Sequence, residues 1–169
     1  MRRAFSRQAC RLDPARSGNR LAIIESETVT EPLLLPEVRR AFDAFPVPMR
    51  KRLLQVRDLI FATASAHDEV GRLSETLKWG EPAYLTEETG SGSTIRLGRL
   101  KGSEHAAILF NCKTTLVGTF RERFPEQFEY WQTRALLLPV AGKLRTRELT
   151  VCLSLALTYH LDPRSKRAR

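Results

Sequence analysis

The segment TRELTVCLSLALTYHL, residues 146–161, constrains the fold more than any other stretch of the chain. Thr146 opens a capping pattern, and the residues that follow are apolar around most of a helical circumference. Such a helix has little to offer water, so the rest of the chain must close around it. The 42% hydrophobic content of the 169 residues is enough for one core of ordinary density.

Two further helices can pack there. Pro36 suits a first helical position, and Val38, Ala41, Phe42 and Phe45 recur at helical spacing behind it. PVPM then breaks the chain. From Arg50 to about His67, Leu53, Val56, Leu59, Ile60 and Thr63 form an apolar stripe, with Lys51, Arg52, Arg57 and Asp58 mostly on the opposite face.

After DEVG the pattern changes to that of a strand meander, with short segments at Leu77–Thr86, Ser93–Arg99 and Ala106–Cys112 bounded by Gly, Ser and charged residues. TGSGS between the first two suits a hairpin loop. Ile95 and Leu97 alternate with Thr94 and Arg96, giving one polar face, whereas Ala107–Phe110 is apolar on both faces and belongs at the centre of the sheet. Thr114 or Thr115 starts a helix that runs through Leu116 and Phe120 and stops near Pro125; a second short helical piece is expected at Glu126–Trp131, and RALLLP is the last strand. The expected architecture is α+β, a small antiparallel sheet of about four to five strands packed against helices. Residues 31–161 make the domain, with a flexible basic extension at 1–30 and a basic tail at 162–169.

The net charge of +9 lies largely outside that domain: residues 1–30 and 161–169 each carry an excess of three positive charges, which leaves three for the remainder. Basic ends add salt-sensitive, sequence-blind attraction to polyanions, and the domain itself is not expected to be a nucleic-acid reader. No apolar run reaches the roughly 20 residues needed to cross a bilayer, and arginines interrupt the start of the chain, so a cytoplasmic protein without a membrane partner is expected. Cys10, Cys112 and Cys152 have no CxxC spacing, and Cys112 and Cys152 lie in apolar contexts as expected core thiols. His67, His105 and His160 show no metal-ligand spacing, and His160 suits the C-terminal end of the last helix.

The runs LKWGEPAY, GSTIRLG, ILFNCKTTLVGTFRERFP, TRALLLP and LALTYH together resemble the YdhG-like family of uncharacterised bacterial domains, domain-of-unknown-function family 1801, over about residues 36–161. The resemblance implies a small α+β domain, and a subset of the family is linked to iron handling as frataxin-like proteins. An iron surface wants clustered carboxylates, and here Glu75, Glu81, Glu87 and Glu88 would have to converge.

LKWGEPAYLT at 77–86 holds the densest set of unusual residues. Pro82 biases Glu81 toward extended backbone, and alternation sends Glu81, Ala83 and Leu85 one way and Pro82, Tyr84 and Thr86 the other. As a site, Lys78, Glu81, Arg96, Asn111, Lys113 and Arg134 form a polar patch for a small anionic ligand or protein partner, walled by Trp79 and Tyr84. As structure, Glu81 pairs with Arg96 or Arg134, and Trp79 and Tyr84 plug the helix–sheet interface. GSGST lacks the lysine and the strand-to-helix setting of a phosphate loop, and no nucleophile motif is present. The expectation is a binding domain without catalysis, cofactor or metal, the alternative being a frataxin-like iron-binding accessory protein.

Overall fold

The computed structural model describes residues 34–163. The basic extension expected at 1–30, Cys10, and most of the tail expected from 162 lie outside the described residues.

Helices α1 (Pro36–Asp43) and α2 (Val47–Ser65) come first, followed by a 3-10 turn at Asp68–Val70. Strands β1 (Ser74–Lys78), β2 (Glu81–Leu85), β3 (Ile95–Gly98) and β4 (Ala106–Leu109) lead to helix α3 (Leu116–Arg123). Strands β5 (Glu129–Trp131) and β6 (Ala135–Leu138) precede the final helix α4 (Thr146–Leu157). The strands form one six-stranded sheet in the order β1-β2-β3-β4-β6-β5, with every neighbouring pair antiparallel.

The α+β class and antiparallel sheet agree with the sequence, but the sheet has six strands rather than four or five. One extra strand arises because residues 77–86 are the end of β1, a tight turn and all of β2. The other is β5, which replaces the short helical piece expected at Glu126–Trp131: Tyr130 pairs with Leu136, and its hydroxyl donates to the Phe120 or Phe124 carbonyl at the end of α3. PVPM does not separate α2 from its start. Pro46 sits at the N-cap and Pro48 in the first turn, where a missing N–H costs nothing.

The register divides the sheet into two faces. Glu75, Tyr84, Ile95, Leu97, Ile108, Leu136 and Tyr130 point one way, because directly paired residues share a face. This is the helix-facing side: Arg57 of α2 binds Glu75, Phe61 of α2 meets Tyr84 edge-on, and Phe120 of α3 packs on Phe110. Helix α4 closes the core with Leu149, Cys152, Leu153, Ala156 and Leu157, all buried, as its composition demands. No described helix is long and apolar enough to cross a membrane.

Two arginines expected on the solvent face of α2 are buried. Arg52 and Arg57 are each only 4% exposed. Arg52 donates to the carbonyls of Pro139, Ala141 and Gly142 and so fixes the loop that follows β6. Arg57 makes a two-pronged ion pair with Glu75 at 2.7 and 2.9 Å and lies over the Phe61 ring. Cys152 is the core thiol expected, its pKa raised to about 12 by burial, but Cys112 is exposed because it lies in the turn beyond the end of β4.

Candidate functional site

The loop from Thr86 to Thr94 does more than turn the chain between β2 and β3. Ser91 and Ser93 are buried, and the loop binds the end of α4: the Ser93 N–H donates to the Ala156 carbonyl, the Ser91 hydroxyl to the Leu157 carbonyl, and the His160 N–H to the Ser91 carbonyl. Loop and helix can approach because position 92 is glycine; a Cβ there would run into the Leu157 carbonyl. These contacts satisfy carbonyls that a helix terminus leaves without partners.

At the same end of the sheet, β4 runs into the Asn111–Thr115 turn. The Asn111 side-chain oxygen accepts from the Lys113 N–H, the Thr114 hydroxyl donates to the Asn111 carbonyl, and the Thr115 N–H donates to the Tyr159 hydroxyl. Between this turn, the β2–β3 loop and the end of α4 lies a cavity of about 660 Å³, lined by Gly92, Ser93, Thr94, Asn111, Lys113, Thr114, Tyr159 and His160. The lining residues include an ammonium, an imidazole, hydroxyls and an amide, and none of them is a carboxylate.

The eight residues singled out from the sequence divide among separate places. Asn111 and Lys113 line this cavity, and exposed Arg134 lies at the same end of the sheet, where its carbonyl accepts from the Phe110 N–H. Glu81 and Arg96 share the sheet face opposite the helices and form a 2.7 Å ion pair. Gly98 leaves room for that pair, since a Cβ there would sit 2.6 Å from the Glu81 carboxylate. Burial raises the Glu81 pKa, with Arg96 acting against it. Lys78 and Trp79 are exposed at the far end of the sheet, where Trp79 forms no core plug. Tyr84 cannot wall a surface patch: it is fully buried on the helix-facing side, as alternation from Glu81 requires.

The carboxylates of the iron alternative do not converge. Glu75 and Glu81 lie on opposite sheet faces, each held by an arginine, while Glu88 accepts the Arg72 N–H. Glu75, Glu87 and Glu88 line one hollow, but among the described residues no three His, Cys, Asp or Glu come close enough to hold a metal ion.

Sequence reasoning overlooked Ser93, Thr94, Thr114 and Tyr159 as cavity residues and took His160 for a helix cap. The Gly-Ser run read only as a hairpin loop, because its partner lies more than sixty residues downstream with no local mark of the pairing.

No family model and no curated protein matches the chain. Among solved structures, it is similar to YdhG of the DUF1801 family from Bacillus subtilis, with 14% identity, a TM-score of 0.52, and coverage of 75% of this chain and 93% of that one. The chain has the YdhG-like fold of a DUF1801 protein.

Proposed function

We propose that the chain is a cytoplasmic YdhG-like domain that binds a small anionic ligand, without catalysis, in the cavity between the β2–β3 loop, the β4–α3 turn and the end of α4. The observation that carries this reading is the chemistry of the lining: Lys113, His160 and hydrogen-bond donors, with no carboxylate among the described lining residues. Such a lining favours an anion that accepts hydrogen bonds, with Lys113 supplying the charge. The turn that presents Lys113 is braced by Asn111 and Thr114, so the ammonium stands on an ordered scaffold. The ion pair of Arg96 with Glu81 removes Arg96 from this role. Iron binding has less support, because Glu81 lies on the other sheet face and among the described residues no three carboxylates come close enough to share an ion.

The test is a thermal-shift screen against phosphate, small carboxylates and nucleotides, comparing the parent chain with Lys113→Met. A ligand at about a hundred times its Kd stabilises the folded state by about 2.7 kcal/mol, which raises Tm by several degrees. A saturable rise with one anion class that Lys113→Met abolishes supports the reading. An equal rise in both proteins, or no rise with any anion while both melt cooperatively, overturns it.

A further inference from the structure

The turn between β1 and β2 sits at the end of the sheet away from the cavity. Lys78 pairs with Glu81, so only Trp79 and Gly80 make the turn, and both have positive φ, 60° and 77°. A two-residue hairpin of this hand favours Asn, Asp or Gly, and a bulky aromatic at positive φ is an outlier. Packing does not hold Trp79 there, because it is 90% exposed. The residue thus strains the turn and gains nothing from the described fold, which directs attention to a surface outside it.

The surroundings define that surface. Glu81 lies beside Gly98 and Gly98 pairs with Ala107, so the β3–β4 loop emerges at the same end of the sheet as the turn. Exposed Lys78, Arg99 and Lys101 lie at this end; Arg96 matches the charge of Glu81, and the other carboxylates here are Glu104 of the β3–β4 loop and exposed Glu129 of β5, 4.0 Å from His105. Three exposed cations against two carboxylates leave the end with a small positive excess, concentrated at Lys78, Arg99 and Lys101 around the one indole at its tip. Single-stranded nucleic acid is bound in grooves where successive aromatics stack on bases, but Trp131, the other exposed aromatic among the described residues, is at the opposite end of the sheet, beside Ala135. A lone indole on a convex turn suits a flat layer, and tryptophan favours the headgroup level of a bilayer. We infer that Trp79 anchors a peripheral contact with an anionic lipid surface, its indole seated among the headgroups and Lys78, Arg99 and Lys101 facing their negative charge.

The experiment uses the full chain with Trp131→Phe, so that emission reports Trp79 alone, and vesicles of phosphatidylcholine with or without phosphatidylserine. Phosphatidylserine vesicles should shift the emission to the blue and sediment the protein, and added salt should weaken both effects. Basic tails alone could draw the chain to such vesicles, so the deciding variant is Trp79→Asn in the otherwise unchanged chain. Asparagine suits the turn, so this variant should melt no lower than its parent while its partition onto the vesicles falls about tenfold. Unchanged Trp79 emission with vesicles, or equal sedimentation of the Trp79→Asn variant, overturns the inference. Quenching of Trp79 by a single-stranded oligonucleotide while vesicles leave it unchanged would replace the membrane with nucleic acid.

Discussion

Tyr84 carries a polar atom into the core, next to a carboxylate that Arg57 already holds. Its hydroxyl is fully buried beside the Glu75 carboxylate without a well-formed hydrogen bond to it, and the Tyr84 pKa lies well above the usual phenol range, first through burial and then through Glu75. Removing the hydroxyl should release that desolvation cost. Tyr84→Phe is expected to stabilise the chain by about 1 kcal/mol in urea denaturation, and a loss of similar size would mean that the hydroxyl has a partner. The orientation of Tyr84 was legible in the sequence, because Pro82 marks a strand and alternation does the rest. That of Trp79 was not: tryptophan is no turn former, so LKWGEPAYLT read as one continuous strand.

Between elements, the strongest polar link joins α2 to β1 through Arg57 and Glu75. Both side chains are almost fully buried, so truncating one partner leaves the other charged and without its counter-ion. Arg57→Met should cost about 3–5 kcal/mol, whereas Arg57→Met with Glu75→Leu should recover most of that loss, since an apolar pair of similar volume often replaces a buried ion pair without penalty. Chemical denaturation of the two variants and the parent checks both expectations. The sequence placed all four helices, because apolar spacing survives in each. It misplaced Arg52 and Arg57, because helical spacing records where charges sit on a helix but not whether carbonyls or a carboxylate await them in the core. Strand β5 escaped for another reason: three residues are too few to show a period of two against a helical background.

For the whole molecule, stability depends on how the β2–β3 loop joins the end of α4. Gly92→Ala places a methyl group against the Leu157 backbone, and neither backbone can yield without breaking the bonds from Ser93 and His160. The substitution should cost about 1–3 kcal/mol and speed hydrogen exchange at the Ser93 and His160 amides, and unchanged exchange would show that the loop and helix are not coupled. The candidate cavity was only half legible, through Asn111 and Lys113, because its other wall comes from residues that meet only when the chain is folded. The order of the strands has a further result. Among the described residues β1 and β5 are the outer strands; β5 is three residues long, and β1 turns the charge of Glu75 inward. Short outer strands and inward charges discourage a second molecule from extending a sheet. The Arg57→Met/Glu75→Leu double variant should therefore keep most of the parent's stability yet aggregate sooner on storage, because it turns a self-limiting border into an adhesive one.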